Sequence, residues 1–173
     1  MTIFRLRIII LLSLLFAFFS LFTYAVFAQA GKGMEMSQSH KSIVADVIEE
    51  LRMVAGKDQN IGEELREIAQ EQEESNERAV KAIESVETRG AFKTFLFGTD
   101  YKNIGVIRSE LVTTDNHIDR LTNVINRSED AEVKADLETQ ISALEETKNN
   151  AESFIKENED KFSLLGWLVR LFN

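Results

Sequence analysis

The sequence contains neither cysteine nor proline among its 173 residues. Without cysteine, disulfides cannot stabilise the protein, so its stability must come from the packing of its side chains. Proline interrupts helix interiors and is common in turns and at strand edges, so its absence favours long continuous helices. Together these absences predict an all-α protein without appreciable β structure.

Basic residues are also scarce relative to acidic ones, with 20 against 29 and a net charge of −9. The first thirty residues contain Arg5 and Arg7 and no acidic residue, so subtracting these two charges leaves −11 on the rest of the chain. A protein of this charge repels phosphates and anionic lipid headgroups, which argues against a nucleic-acid partner. Any contact with a membrane must therefore be hydrophobic.

Residues 1–30 have the composition of an export segment. Two arginines precede an apolar run of 21 positions, Ile8 to Ala28, which ends in the small-residue patterns Val26-Phe27-Ala28 and Ala28-Gln29-Ala30. This is typical of a signal peptide, but the run also approaches the roughly 20 residues that span a bilayer. Cleavage after Ala28 or Ala30 and retention as a membrane anchor both remain open. Either outcome exports the rest of the chain, which predicts a periplasmic or other extracytoplasmic protein, free or membrane-anchored.

Residues 31–38 are small, polar or flexible and are interpreted as a linker before a helical domain of residues 39–173. Ser39 is the expected N-cap of the first helix, which is expected to end near Gly56. The break there is either a chain reversal or an interruption of one continuous helix. The apolar stripe of this helix consists of Ile43, Val47, Leu51 and Val54.

The next segment is apolar on one face at its two ends and polar on every face in its middle, residues 70–78. We expect this middle to pack weakly, and a solvated helix face is favoured over a binding surface for such a charge run. The stripe consists of Ile61, Leu65, Ile68, Gln72, Ser75, Ala79, Ile83 and Val86.

Two further helices are predicted on either side of a short connection, Asn126-Arg127-Ser128. The first begins at Thr99 or Asp100, and Ser128 is the expected N-cap of the second. Because the connection is short, the two helices must be antiparallel neighbours. The predicted fold is thus an antiparallel helical bundle or a long αα-hairpin of three to four helices. The two seams are Ile104, Ile107, Leu111, Thr114, Ile118, Leu121 and Ile125, then Leu137, Ile141, Leu144, Lys148, Ala151, Ile155, Asn158 and Phe162.

Two apolar clusters flank this hairpin and must converge at one of its ends. FKTFLFG, residues 92–98, precedes the first arm, and FSLLGWLVRLFN, residues 162–173, follows the second. The clusters can bury each other as a small end-core, which is the favoured interpretation, or form a membrane-docking foot; a homo-oligomer or another protein partner can also cover them. The candidate contact residues are Phe92, Phe95, Phe97, Phe162, Leu165, Trp167, Leu168 and Phe172.

The sequence contains no recognisable catalytic or metal-binding motif. Its two histidines are His40, at the expected junction of linker and helix, and His117, which lies between Asp115 and Asp119 and is expected on the surface. One histidine with carboxylates at offsets of two is not a metal-ligand set. There is no cysteine nucleophile, Gly-x-Ser-x-Gly elbow or glycine-rich phosphate loop. We therefore predict no enzymatic activity, no metal and no cofactor.

Four stretches carry a family resemblance: HKSIVADVIEEL, IGEELREIAQEQEES, FKTFLFGTDYKNIGVIRSE and KFSLLGWLVRLF. They resemble stretches of a recurring group of signal-bearing hypothetical proteins from uncultured, reduced-genome bacteria of the candidate phyla. The resemblance covers nearly all of the exported chain. It implies export and helicity, with a cleaved signal followed by a Gly/Asn-rich linker, and it implies no activity, cofactor or site residue.

The first functional hypothesis is an exported, non-enzymatic helical scaffold or adaptor of the cell envelope, whose apolar end docks to a membrane, to itself or to another protein. The alternative is an extracytoplasmic sensor or ligand-binding helical module, which needs a concave pocket between helices. An enzyme would need convergent polar groups from different helices in a cleft, which one sequence cannot display.

Overall fold

The computed structural model describes residues 35–159, 161 and 163, except for the side chains of residues 91 and 92. Within this part the chain forms five helices and no strand, so the predicted all-α class is confirmed. The export segment predicted for residues 1–30 lies outside the described residues. The helices are α1 (35–57), α2 (Gly62–Glu87), α3 (Ala91–Phe97), α4 (Tyr101–Arg127) and α5 (Ala131–Glu159).

The break near Gly56 is a true reversal, and α1 and α2 run antiparallel. Near the turn, the Arg66 guanidinium donates a hydrogen bond to the Ala55 carbonyl at 3.0 Å. At the far end of the pair, the Glu87 carboxylate lies next to the backbone of Met36 and Ser37. The beginning of α1 therefore lies beside the end of α2.

The remaining long helices complete an antiparallel four-helix bundle. Helix α4 packs against both α2 and α5. The end of α1 meets the beginning of α5, where the Lys57 ammonium contacts Glu132 at 3.0 Å and Asp136 at 2.8 Å. The order around the bundle is therefore α1, α2, α4, α5, and the short helix α3 connects α2 to α4 at one end.

Three helix boundaries can be compared with the sequence predictions. Asp100 is the N-cap of α4, because its side chain accepts a hydrogen bond from the Asn103 backbone N–H. The sequence predicted that this helix begins at Thr99 or Asp100. Helix α1 already includes residues 35–38, so this part of the expected linker is helical and Ser39 lies inside the helix. The N-cap of α5 is Asp130, whose carboxylate accepts from the backbone of Glu132 at 2.8 Å. Ser128 instead ends α4, and its hydroxyl accepts from the Asp130 backbone N–H.

The apolar core is divided into two clusters along the bundle. The larger cluster lies at the end away from α3, and the smaller one lies next to α3. The larger contains Val44, Val47, Ile48, Leu51, Val54, Ala55, Ile61, Leu65, Ile68, Ala69, Leu121, Val124, Val133, Leu137 and Leu144. The smaller contains Ala82, Ile83, Val86, Ile104, Ile107, Ala151 and Ile155.

The predicted stripes are confirmed on α1 and α2 and confirmed in part on α4 and α5, where the buried predicted positions are Ile104, Ile107, Thr114, Leu121, Leu137, Leu144, Ala151 and Ile155. On α1 the stripe is complete apart from Ile43, which is half-buried. On α4, Leu111, Ile118 and Ile125 are only half-buried, as are Ile141 and Lys148 on α5. The positions buried instead are Glu110, His117, Val124, Gln140 and Thr147.

Substitution of two glycines in this bundle by alanine is expected to change the free energy of unfolding in opposite directions. A Cβ at Gly62 would lie 2.4 Å from the Ala55 carbonyl oxygen, so the α1–α2 turn would have to move. A Cβ at Gly105 in α4 would meet no atom within 4 Å. We expect Gly62→Ala to lower the free energy of unfolding by roughly 1 to 3 kcal/mol. Gly105→Ala should raise it by up to about 1 kcal/mol, because alanine is the better helix former. Urea unfolding followed by circular dichroism measures both, and equal effects would contradict the close approach at Gly62.

Candidate functional site

The end of the bundle that carries α3, here called the α3 end, brings together the segments that the sequence predicted to converge. The Thr99 hydroxyl donates to the Glu159 carbonyl at 2.7 Å and accepts from the Lys161 backbone N–H at 3.2 Å. The Ser163 hydroxyl donates to the Leu96 carbonyl at 3.0 Å. The chain leaving α5 therefore runs alongside the end of α3, which confirms the predicted convergence for residue 163, the described member of the cluster 162–173.

Gly98 is required for this close approach. Its φ of +81° lies in the left-handed region that side chains disfavour, and a Cβ there would lie 3.0 Å from the Ser163 Cβ. The turn between α3 and α4 thus leaves room for the segment that follows α5.

The structure describes only two side chains of the eight candidate contact residues. Phe95 is half-buried, and Phe97 is 61% exposed. Of these two residues, Phe95 therefore lies partly in the interior and Phe97 lies on the surface. The Phe92 side chain and residues Phe162, Leu165, Trp167, Leu168 and Phe172 lie outside the described part of the chain.

Tyr101, which the sequence analysis did not select, is a second exposed aromatic residue at the α3 end. It is the first residue of α4, lies four positions after Phe97 and is 66% exposed. The preceding residue, Asp100, pairs with Arg89 at 3.0 Å, and both side chains are largely buried. Burial raises the pKa of Asp100, but its hydrogen bonds with Asn103 and Arg89 outweigh that effect and hold the pKa below its usual value. The α2–α3–α4 connection that presents Phe97 and Tyr101 is thereby tied to the bundle.

Charge is distributed unevenly between the α3 end and the rest of the bundle. Described residues of this end, 35–41, 84–102, 156–159 and 161, contain six acidic and six basic side chains. The remaining described residues contain 22 acidic and 10 basic side chains. The negative charge of the protein therefore lies almost entirely on the body of the bundle.

A layer of buried polar residues separates the two apolar clusters. On each long helix these residues lie between positions of the larger cluster and positions that belong to or pack on the smaller one. Most of the charged side chains in residues 70–78 are exposed, as predicted for a solvated face, whereas Gln72, Ser75 and Asn76 are buried. This part of α2 is therefore not polar and solvated on every face, because α4 supplies partners for Gln72 and Ser75. The layer contains His40, Gln72, Ser75, Asn76, Glu110, Thr114, His117 and Thr147.

Glu110 is the charged centre of this layer. Its side chain is 9% exposed and receives two hydrogen bonds from Arg78, at 2.8 and 3.0 Å. The Ser75 hydroxyl donates a third, at 2.8 Å. The hydrogen bonds with Glu110 raise the pKa of Arg78. The carboxylate is thus fully paired within the interface of α2 and α4.

His117 was predicted on the surface, and that prediction was wrong, because the residue is 2% exposed. Its Nδ1 lies 2.5 Å from the Gln72 amide oxygen, and its Nε2 lies 3.1 Å from the Glu71 carboxylate. Arg120 also binds Glu71, at 2.6 Å, and reaches Glu67 at 2.8 Å. Burial lowers the pKa of His117, and the contact with Glu71 opposes that effect. The imidazole can be buried because its partners, Gln72 and Glu71, lie on a second helix, α2. The sequence of α4 alone gives no sign of these partners.

His40 is also buried, inside α1 and not at a linker junction. It is 7% exposed, and its Nδ1 has no hydrogen-bond partner among the described residues. Burial lowers the pKa of His40 to about 4. The imidazole is therefore neutral at pH 7, because burial disfavours its charged form.

A polar groove of about 310 Å³ lies between α2 and α4 beside His117. Its cationic side chains, Arg78 and Arg120, are both paired with carboxylates of the same interface. Among the described residues, no group of three or more His, Asp or Glu side chains is arranged to hold a metal ion. The groove is lined by Glu71, Glu74, Arg78, Thr113, Asn116, His117 and Arg120.

None of the helices within residues 35–159 combines the length and the apolar character needed to cross a bilayer. Comparison of the chain with protein-family models, curated proteins and solved structures gives no match. The resemblance to signal-bearing proteins of candidate-phyla bacteria stays a prediction.

Proposed function

We propose that this protein is an exported, non-enzymatic helical scaffold of the cell envelope, held at a membrane with its α3 end toward the bilayer. The observation that carries the proposal is that residues 35 and 163, the described residues nearest to the two apolar stretches of the sequence, both lie at this one end. Residue 35, at the beginning of α1, lies seven positions after the apolar run Ile8 to Ala28. Residue 163 directly precedes the apolar stretch 164–172.

The contacts that fix these two positions are independent of each other. Glu87, at the end of α2, lies next to the backbone of Met36 and Ser37. Thr99 and Leu96 hold Lys161 and Ser163 beside the end of α3. A membrane on this side would accommodate both apolar segments without requiring either to pass along the acidic body of the bundle.

The distribution of charge supports the same orientation. Anionic headgroups repel acidic side chains, and the repulsion falls off within about a Debye length, roughly 8 to 10 Å. The α3 end has balanced charge, with six acidic and six basic described side chains, whereas the body has 22 acidic against 10 basic ones. An upright orientation with the α3 end down keeps the acidic body away from the lipid surface.

The alternative function is a sensor or ligand-binding module. One observation supports it, the polar groove beside His117. Its volume of about 310 Å³ is at the lower limit of ordinary ligand pockets, roughly 300 to 1,000 Å³. Such pockets are mostly apolar with a few free polar groups, whereas this groove is lined by charged side chains that pair with one another. A ligand would have to displace Glu71 or Glu110 from its arginine, so we favour the scaffold.

Export and membrane attachment are tested together by a reporter fusion. We expect an alkaline phosphatase, active only after export, to show activity in bacteria when fused after Asn173 of the full chain. The matched control lacks residues 2–30 and should show no activity. Membranes isolated from the same cells should retain the full-length fusion after carbonate extraction. An inactive full-length fusion would contradict export, and an active fusion found wholly in the soluble fraction would contradict attachment.

A further inference from the structure

From the exposed aromatic side chains at the α3 end we infer that Phe97 and Tyr101 form a lipid-contacting pair that inserts into the interface of the bilayer. This inference rests on the proposed function and specifies which side chains of the bundle meet the membrane and what chemistry they recognise there. The occupant of the surface is the lipid bilayer itself.

The geometry of the pair suits an interfacial contact. Phe97 ends α3 and Tyr101 begins α4, and they are 61% and 66% exposed. An aromatic ring with a polar tip, as in tyrosine, is favoured at the depth of the headgroups, and phenylalanine reaches the acyl chains beneath. The turn that carries them is held by the buried Arg89–Asp100 pair and by the Thr99 contacts with α5. The two rings therefore project from a fixed turn.

A second copy of the chain is a less suitable occupant. A stable interface between proteins buries roughly 800 Å² on each partner, whereas two aromatic side chains contribute about 150 to 250 Å² each. Insertion into a bilayer requires no complementary protein surface. Residues 35 and 163, the described residues nearest in sequence to the apolar stretches 8–28 and 164–172, lie at the same end.

The balanced charge of the α3 end also specifies the kind of lipid surface. With six acidic and six basic described side chains, this end offers no excess of positive charge to bind anionic headgroups. The contact is hydrophobic and should therefore form on zwitterionic phosphatidylcholine, without a requirement for anionic lipid.

The absence of cysteine from the chain allows a direct test by single-site labelling. The full chain would be made with Phe97→Cys or Tyr101→Cys, labelled with an environment-sensitive NBD fluorophore and reconstituted into phosphatidylcholine vesicles. Matched controls are Val112→Cys, on the middle of α4, and Met53→Cys, on α1, which replace apolar side chains that are 61% and 51% exposed. Vesicles that contain doxyl-labelled lipid then report whether each fluorophore touches the bilayer.

We expect labels at positions 97 and 101 to shift their emission to shorter wavelength and to lose intensity with doxyl lipid, and labels at 53 and 112 to do neither. Flotation of the same vesicles shows separately whether the chain is attached. A floating chain whose labels at 97 and 101 resemble the controls overturns this inference and leaves the proposed function in place. A shift without doxyl quenching indicates a protein cover, such as a second copy, and also overturns it. A chain that does not float contradicts both.

Discussion

Lowering the pH from 7.5 to 4.5 is expected to cost this protein about 2 to 3 kcal/mol of unfolding free energy through His40 alone. The pKa of His40 is about 4 in the folded protein, against 6.5 for an ordinary histidine. The unfolded chain therefore binds the proton more readily than the folded chain does. Stability is complete above pH 6.5 and is lost as the pH falls toward 4, at about 1.4 kcal/mol per unit of pKa difference.

The matched variant for this experiment is His40→Leu, since Nδ1 of His40 has no partner among the described residues to lose. Urea unfolding of both proteins at pH 7.5 and 4.5 gives the difference that belongs to His40. Glu87 titrates in the opposite sense, because burial raises its pKa and protonation then favours the folded state, but it is common to both proteins and cancels. If the two proteins lose stability in parallel between these pH values, His40 is not the group responsible.

Replacing Arg78 by leucine is expected to lower the free energy of unfolding by about 2 to 3 kcal/mol. The substitution leaves the Glu110 carboxylate, which is 9% exposed, with Ser75 as its remaining side-chain hydrogen-bond donor. Removing one partner of a buried ion pair costs roughly 3 to 5 kcal/mol, and the smaller value is expected because the Arg78 side chain is half exposed and water can reach the site.

A double-mutant cycle separates loss of pairing from loss of packing at this site. The double variant Arg78→Leu/Glu110→Leu removes both charges and should recover most of the stability lost by Arg78→Leu alone. Glu110→Gln keeps an acceptor for Ser75 and Arg78 and should cost only about 1 kcal/mol. Chemical denaturation of these three variants and of the single variant Glu110→Leu, which completes the cycle, measures these values. Additive effects of the two leucine substitutions would show that the pair is not coupled.

The sequence predicted the helices well because helix formation depends on local periodicity and on the absence of proline. Ile61, Leu65, Ile68 and the rest of the α2 stripe are buried as predicted. On α4, however, the heptad pattern selected Leu111, Ile118 and Ile125, and the buried positions are one residue earlier. Helix α4 packs against two neighbours, α2 and α5, so its buried face is wider than one apolar stripe and includes polar positions.

The polar layer could not be predicted for a related reason. A glutamate or a histidine at an interior position is costly unless another element supplies its partner. For Glu110 and His117 those partners, Arg78 and Gln72, lie 32 and 45 residues away in the sequence. The apolar end is different, because short connections alone require residues before α4 and after α5 to meet. That convergence was therefore predictable, whereas the exposure of Tyr101 depends on the details of one turn.

The division of the core by the polar layer has a consequence for how the bundle opens. Among the described residues, the cluster beyond the layer contains 15 buried apolar residues from all four long helices, and the cluster next to α3 contains seven, from α2, α4 and α5. The interactions between the two units are hydrogen bonds, which water can replace once the helices separate. Each unit can therefore open while the other keeps its structure. A bundle of this kind can rearrange at one end, on the side of the proposed membrane contact, without losing its fold.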